Sequence, residues 1–195
     1  MAHIEPLSRD QLPQYEDQFR LIEGAMGFVP TSLMTMAKVP ALMEAFSQLA
    51  VTVNVLGHVD GDLVQLVAHV ASRAAGCRYC QAHTAAHAAH AGADPDKIEA
   101  VWEFETNDLF DDAERAALRV ARDGAQVPNA VTAAHFVALR EHYSEDQIIQ
   151  IVAVISLFGY LNRWNDTMAT ALETVPLGFA EEHLAESGWD AGKHR

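Results

Sequence analysis

Apolar residues recur at intervals of three and four positions along nearly the whole chain, a spacing that places them on one face of an α-helix. The stretch DLVQLVAHVASRAAG, residues 62–76, is a clear example, with Leu63, Val67 and Val70 on its apolar side. Alternating runs of β-branched and polar residues bounded by tight turns, which predict β-strands, are missing. The pattern therefore predicts an all-α fold.

Residues that begin or end helices divide this pattern into segments. Gly76 and Gly92 are typical helix ends, and Asp94 followed by Pro95 is a typical helix start. The predicted helices lie within 8–26, on either side of Pro40, at 61–76, at 77–91, from 94 onward, and at 111–126, 132–142 and 145–172. Residues 175–195 are expected to form a tail that wraps a neighbour or frays. A length of 195 residues favours a single domain, 1–195.

Two stretches of the chain resemble each other. LVQLVAHVASRAAGCRYCQ aligns without gaps with IIQIVAVISLFGYLNRWND, so that Gln65 falls opposite Gln150 and Arg78 opposite Arg163. The reactive side chains differ: Cys77, Cys80, His83 and His87 fall opposite Asn162, Asn165, Met168 and Leu172. This predicts a helix-pair pseudo-repeat, with a redox core at about 61–101 and an inert second copy at about 146–172. A chance match between two apolar helices is the alternative.

Charge and hydropathy argue against two classes of function, nucleic-acid binding and membrane insertion. The net charge of −14, with no Lys/Arg cluster, would repel nucleic-acid phosphates. The longest apolar stretch, 148–161, is too short to span a membrane, and no basic segment followed by an apolar run opens the chain. We therefore expect a cytoplasmic protein that binds neither nucleic acid nor membrane. In that reducing compartment, paired cysteines are typical of catalysis or metal binding.

The only two cysteines form a Cys-x-x-Cys pair at the start of a predicted helix. Unpaired backbone N–H groups and the positive end of the helix dipole stabilise a thiolate there, so Cys77 and Cys80 predict nucleophilic and redox chemistry. His83 and His87 continue along the same face and are able to exchange the thiol proton near neutral pH. The structural alternative is that two small cysteines and some surface histidines share a helix.

A zinc site is a competing interpretation, because two thiols and two imidazoles are suitable ligands. Structural zinc is usually enclosed by ligands from two segments, whereas these four lie along one side of one helix. The only obvious ligands from elsewhere are His58 and His69, and His90 is expected to be solvated. We therefore expect no metal.

The preceding helix contributes further candidates, since it must fold back on the Cys-x-x-Cys helix across a short connection. Gln65 and His69 lie one turn apart on it and either is able to face the thiols. His69 is the one that titrates usefully, so it is a candidate second base; a core-edge histidine bonded to the backbone is the alternative. In the second copy, Asn162 and Asn165 belong to a stretch that we interpret as architectural. The less favoured alternative is that this stretch forms the wall of a pocket.

SRAAGCRYCQAHTA on a helix pair resembles the carboxymuconolactone decarboxylase and AhpD-type alkylhydroperoxidase superfamily, most strongly over 63–101. The resemblance implies an AhpD-like helical domain without a bound cofactor, assembled as a homo-oligomer such as a dimer, trimer or hexamer. It also implies a peroxidase cycle: one thiolate attacks a hydroperoxide, the sulfenic acid condenses with the other cysteine, and an external dithiol resets the pair. The dithiol would be a lipoyl-protein or a thioredoxin-like protein.

Two positions depart from the family pattern. The family commonly has a glutamate twelve residues before the first cysteine and a histidine four residues after the second, where this chain has Gln65 and Thr84. Our hypothesis is a rewired relay from His69 and His83 to Cys80, with Gln65 at the family position and His87, Thr84 and Tyr79 as secondary candidates. The resemblance implies that Cys80 attacks and Cys77 resolves, whereas the helix dipole favours Cys77 as the thiol with the lower pKa.

The resulting prediction is a thiol-dependent peroxidase or disulfide oxidoreductase that reduces alkyl hydroperoxides. Three alternatives stay open: a non-catalytic redox sensor or binding protein, lactone chemistry like that of carboxymuconolactone decarboxylase, and a zinc-binding module.

Overall fold

The computed structural model describes residues 2–195, which form ten α-helices and no β-strand. The all-α prediction is confirmed. In chain order the helices are α1 (Glu16–Met26), α2 (Thr31–Met36), α3 (Pro40–Val55), α4 (Gly61–Ala74), α5 (Arg78–His90), α6 (Pro95–Glu99), α7 (Asp112–Gly124), α8 (Ala133–Arg140), α9 (Glu145–Met168) and α10 (Thr174–His183).

Side-chain caps explain where several helices begin. Ser144 accepts a hydrogen bond from the backbone N–H of Gln147, and the Gln147 side chain accepts one from the backbone N–H of Ser144, which starts α9. Asp111 and Glu114 do the same for α7. Asp94 caps α6, as its position before a proline predicts.

The central helix of the fold is α4, which packs against α5, α7 and α9. Every residue of α4 from position 63 to position 72 is buried, including the polar Gln65, His69 and Ser72. A helix surrounded on all sides has no solvated face for such groups, so each needs a partner inside the protein. The buried polar side chains of α4 therefore face neighbouring helices, including α5, and not solvent.

Helix ends differ from the sequence prediction by a few residues. Helix α5 begins at Arg78, because Cys77 has extended backbone and acts as its N-cap. Helix α9 was predicted to reach Leu172 but ends at Met168, where Ala169 takes the left-handed conformation with φ of 49°. The predicted 111–126 and 132–142 helices are likewise shorter, as α7 and α8.

The prediction of a repeated helix pair is wrong for the second copy. In the first copy, Gly76 adopts a φ of 76°, which ends α4 and allows α5 to turn back beside it. Leu161 occupies the aligned position in the second copy, and α9 continues through it without a break. The second copy is thus one long helix that packs against both α4 and α5.

The C-terminal segment does not fray; it wraps around the Cys-x-x-Cys helix of its own chain. Helix α10 packs on α5. The Trp189 indole N–H donates to the carbonyl of Arg78 over 3.1 Å, and Arg78 forms an ion pair with Asp190 at 2.7 Å. The backbone N–H of Leu172 donates to the carbonyl of His194 at 2.8 Å, so the end of the chain lies beside the segment that follows α9. None of the helices formed by residues 2–195 combines the length and apolarity needed to cross a bilayer.

Candidate active site

The two thiols lie together at the start of α5. The backbone N–H of Cys80 donates to Cys77 Sγ over 3.5 Å, so the N-cap position holds the first sulfur over the free N–H groups of the helix. Both side chains are almost wholly buried, with 1% of Cys77 and 2% of Cys80 exposed. Both are free cysteines.

The two thiols differ in acidity. Hydrogen bonding from the Cys80 thiol lowers the pKa of Cys77 against the opposing effect of burial, and the backbone N–H groups of Cys80 and Tyr79 lower it further. Burial raises the pKa of Cys80 well above its ordinary value, and the adjacent Cys77 sulfur raises it again. Cys77 is therefore the thiol that ionises first, as its place at the helix start predicts.

The surroundings of the thiols are mainly apolar, with one amide. Phe158 and Leu161 of α9 and Leu172 after it pack against the cluster formed by Cys77, Tyr79 and Cys80. Asn165 of α9 donates through Nδ2 to Cys80 Sγ at 3.5 Å. The stretch interpreted by default as architectural thus supplies, through Asn165, a hydrogen-bond donor to the reactive copy.

His83 lies one turn after Cys80 and is held by a carboxylate that comes from the start of α10. His83 Nε2 is 2.5 Å from Glu173 Oε2, and the Tyr79 hydroxyl donates to Glu173 Oε1 at 2.9 Å. The backbone N–H of Thr31 also donates to Glu173. The imidazole stacks on the Tyr79 ring at 4.0 Å and meets the Phe28 ring edge-on at 4.7 Å between centroids.

The Glu173 carboxylate is ionised at neutral pH. Its burial alone would raise the pKa, but the charge of His83 and the hydrogen bonds from His83 and Thr31 outweigh burial and lower the pKa to about 2. With 15% of its side chain exposed beside a His83 side chain that is 9% exposed, this is a largely desolvated pair. The two side chains and the Tyr79 hydroxyl form a connected polar group within an apolar wall.

His69 contacts the Cys-x-x-Cys helix through Thr84 instead of through a thiol. The Thr84 hydroxyl donates to the carbonyl of Cys80 at 2.8 Å, so it accepts from His69 Nδ1, which is 2.9 Å away. Burial lowers the pKa of His69 to about 4, with Arg73 contributing, and the ring is neutral at pH 7. Within residues 2–195, neither His69 nor His83 hydrogen-bonds to a sulfur.

The remaining candidate residues, Gln65 and His87, make no hydrogen bond to either thiol. Gln65 is buried, and its Oε1 has no hydrogen-bond partner among the described residues. The aligned Gln150 is fully used, since its Oε1 accepts from the backbone N–H groups of His58 and Val59, each at 2.9 Å. Burial lowers the pKa of His87 to about 4. In the described part of the chain, no group of three or more His, Cys, Asp or Glu side chains is placed to hold a metal ion.

Sequence reasoning missed Glu173 and gave Asn165 a structural role. Glu173 follows His83 by 90 residues and is the N-cap residue of α10, just beyond the predicted helix 145–172, so no local pattern connects them. The signal for Asn165 was present, because the gapless alignment sets it opposite Cys80.

The most informative comparisons are with solved structures. A cysteine-to-alanine variant of the debrominase Bmp8 in complex with 2,3,4-tribromopyrrole is 36% identical, with a TM-score of 0.88 over 93% of this chain and 97% of that one. The ligand-free form of Bmp8 is 37% identical, with a TM-score of 0.85 over 91% and 95% of the two chains. No curated protein matches the chain.

More distant structures share the fold alone. A peroxidase-related protein of Ralstonia eutropha, described as an alkylhydroperoxidase AhpD core, is 22% identical, with a TM-score of 0.76 over 92% of this chain and 97% of that one. The model of the carboxymuconolactone decarboxylase family matches residues 38–123, which include the Cys-x-x-Cys pair. Together with the full-length likeness to the debrominase, this establishes the relationship that the motif suggested: the chain belongs to the carboxymuconolactone decarboxylase/AhpD superfamily.

Proposed function

We propose that the protein is a thiol-dependent reductase whose Cys77–Cys80 dithiol gives two electrons to a small electrophilic substrate and becomes a disulfide. The observation that carries this proposal is the pair itself: an acidic Cys77 sulfur that accepts a hydrogen bond from the Cys80 N–H, enclosed by apolar side chains. An external dithiol, either a lipoyl-protein or a thioredoxin-like protein, would reduce the disulfide again.

The first candidate substrate is a brominated pyrrole, supported by 36% identity over almost the full length to a debrominase in complex with 2,3,4-tribromopyrrole. The Cys77 thiolate attacks bromine, an S–Br bond forms, and the electron pair of the C–Br bond stays on the ring carbon, which takes up a proton. Cys80 then attacks the Cys77 sulfur, loses its own proton and expels bromide. The products are the debrominated ring, a disulfide and hydrogen bromide.

This order makes Cys77 the attacking thiol, the reverse of the order that the family resemblance implies. It follows from the acidity of the two groups, since a thiolate is the nucleophile and Cys77 ionises first. Cys80, kept protonated by burial, holds the proton that leaves in the second step.

We assign the proton donor for the ring carbon to His83. Histidine exchanges protons near neutral pH, and this ring stacks on Tyr79, which belongs to the same cluster as both thiols. Glu173 acts as a positioning residue through its bond to His83 Nε2. The neutral His69 is left to hold Thr84, and through it the Cys80 carbonyl, instead of acting as a base.

The relay is tested with Glu173→Gln, which keeps the shape of the side chain and removes its charge. We expect turnover to fall about tenfold or more and the alkaline side of the pH–rate profile to move, because a proton donor limits the rate where it loses its proton and this imidazole loses its anionic partner. Glu182→Gln, at a glutamate whose side chain is 77% exposed, is the control. An unchanged pH profile in Glu173→Gln would remove Glu173 and His83 from proton transfer.

A second candidate substrate is an alkyl hydroperoxide, which the superfamily membership favours. The Cys77 thiolate would attack the peroxide, releasing an alcohol after protonation, and the Cys77 sulfenic acid would condense with Cys80 to give the disulfide and water. The same pair and the same proton donor serve both reactions, which differ in the atom that sulfur attacks.

One assay separates these functions. The reduced protein is mixed with a dithiol and either 2,3,4-tribromopyrrole or cumene hydroperoxide, and bromide, alcohol and protein disulfide are measured. We expect one bromide per disulfide, and turnover abolished in both Cys77→Ser and Cys80→Ser, with His90→Ala at an exposed α5 histidine as a control. A single round of oxidation without turnover would instead indicate a redox sensor.

The homo-oligomer implied by the resemblance stays a prediction, which light scattering would check.

A further inference from the structure

Two buried amide side chains of α9 carry polar atoms that lack hydrogen-bond partners among the described residues. Asn162 is 4% exposed and Asn165 is 1% exposed. Among the described residues, both polar atoms of the Asn162 amide and the Oδ1 of Asn165 have no partner, while Asn165 Nδ2 donates to Cys80 Sγ. Burying an amide that makes no hydrogen bond is unfavourable, so such a group is expected to meet a ligand or water.

The spacing along α9 places both amides on the face that meets the thiols. Asn162 lies three residues before Asn165 and four after Phe158, positions that are neighbours on one side of a helix. Phe158 and Leu161 pack against the cysteine cluster, and Asn165 contacts Cys80 itself. Asn162 is therefore flanked by side chains that contact the reactive group.

Packing alone does not call for amides at these positions. Two and three turns before Asn162, the buried face of the same helix is built from Ile151, Val154 and Ile155. A leucine has the same number and branching of side-chain heavy atoms as an asparagine and would leave no unsatisfied polar group. The polar atoms therefore point to recognition rather than to stability.

We propose that Asn162 and Asn165 form the polar half of the substrate site and accept the ring N–H of a small, flat halogenated heterocycle. This deepens, and rests on, the proposed reductase function. Asn165 has its Nδ2 engaged by sulfur, so what it offers a ligand is the Oδ1 acceptor, and Asn162 offers a second carbonyl oxygen. A pyrrole has one N–H donor and otherwise an apolar perimeter, which suits the adjacent Phe158, Leu161 and Leu172.

An alkyl hydroperoxide would gain less binding energy from the Asn162 and Asn165 amides. Its polar atoms are the two oxygens that react, and these must lie at the sulfur during attack. A halogenated pyrrole separates its N–H group from the bromine that sulfur attacks, so a second polar contact away from the thiolate helps to orient it. The two amides thus favour the heterocycle as substrate class.

Equilibrium binding tests the inference without turnover. Calorimetry is carried out on the Cys77→Ser variant, which cannot form the disulfide, with 2,3,4-tribromopyrrole and with its N-methyl derivative. We expect N-methylation to weaken binding by about tenfold or more, because the amide oxygens then face a methyl group. Adding Asn162→Leu or Asn165→Leu should remove most of this discrimination, whereas Asn54→Leu, at an exposed asparagine of α3, should retain it.

Three results would overturn the inference: equal affinity for both ligands, discrimination that survives both leucine substitutions, or no binding of the N–H ligand. A change in melting temperature without a change in affinity would mean that water satisfies the amides, which also overturns it. If a leucine variant fails to fold, the corresponding alanine variant is measured under the same conditions. Bromide release by the unsubstituted protein without N–H discrimination would defeat this inference alone, and discrimination without bromide release would defeat the proposed reductase function alone.

Discussion

At the scale of single residues, the two cysteines are chemically unequal although they share one turn of helix. Cys77 receives hydrogen bonds that stabilise its thiolate, and Cys80 is held in its neutral form by burial and by the sulfur beside it. We predict that iodoacetamide modifies Cys77 faster than Cys80 in the reduced protein, because alkylation requires the thiolate.

The sequence makes this difference easy to measure. Trypsin cleaves after Arg73, Arg78 and Lys97, so the two thiols fall in separate peptides, 74–78 and 79–97, whose labelling mass spectrometry follows over time. Labelling in guanidinium chloride, where both thiols are exposed and equivalent, is the control. Equal rates in the folded protein would mean that the N-cap geometry does not bias ionisation.

The partly buried His87 predicts how stability depends on pH. Burial lowers the pKa of His87 to about 4 from an ordinary value near 6.5, so the unfolded chain takes up this proton at a higher pH than the folded one. The stability contribution is complete above pH 6.5 and is lost as the pH falls toward 4. His87→Gln should reduce the loss of unfolding free energy between pH 7 and pH 5 by about 2 kcal/mol.

Urea denaturation at the two pH values checks this, with His142→Gln, at an exposed histidine, as the control. Glu173 acts in a lower window, because its depressed pKa makes its contribution complete above about pH 4.5 and lost toward pH 2. Parallel pH dependence in His87→Gln and the unsubstituted protein would contradict the prediction.

At the scale of helices, the break at Gly76 distinguishes the reactive copy from the second one. Its φ of 76° is unfavourable for any residue with a Cβ, although no heavy atom outside the neighbouring residues lies within 4 Å of the added atom. Gly76→Ala should therefore destabilise the protein by about 1–2 kcal/mol through backbone strain alone.

Gly159 provides a matched control inside α9, since an added Cβ there also has nothing within 4 Å, but the backbone is helical. Gly159→Ala should stabilise the protein by about 0.5–1 kcal/mol, the opposite sign. Thermal unfolding of the two variants compares them directly. A stabilising Gly76→Ala would show that α4 and α5 tolerate a different connection.

Helix type and order were largely predictable from sequence, because capping residues, glycines and apolar periodicity act locally. The ends of α9 and the structure after it were not: the left-handed turn at Ala169 has no glycine to announce it. The site was half predictable for the same reason. The cysteines and His83 are close along the chain, whereas Glu173 reaches His83 only because α9 and α10 fold back over α5.

At the scale of the whole molecule, the C-terminal segment packs on the helix that carries the thiols. Trp189 is 7% exposed and donates to the carbonyl of Arg78, the residue after Cys77, so this segment holds the start of α5. Trp189→Ala should cost about 3 kcal/mol of unfolding free energy and accelerate alkylation of Cys77 in the folded state.

Trp102→Ala is the control, since that indole is 39% exposed. Denaturant titration and the tryptic labelling assay give the two readouts. Faster alkylation with unchanged stability would mean that the segment opens independently of the core, and unchanged alkylation would mean that solvent reaches the thiols by another route.

The five residues between α9 and α10, 169–173, have a mechanical consequence. Asn165, near the end of α9, contacts Cys80, and Glu173, at the start of α10, contacts His83, so one short stretch of chain holds both partners. Forming a disulfide removes the Cys80 thiol that Asn165 contacts, and any displacement of the helix end is passed to the carboxylate beside the imidazole. We therefore expect the oxidation state of the sulfurs and the position of Glu173 beside His83 to be coupled through this short stretch of backbone.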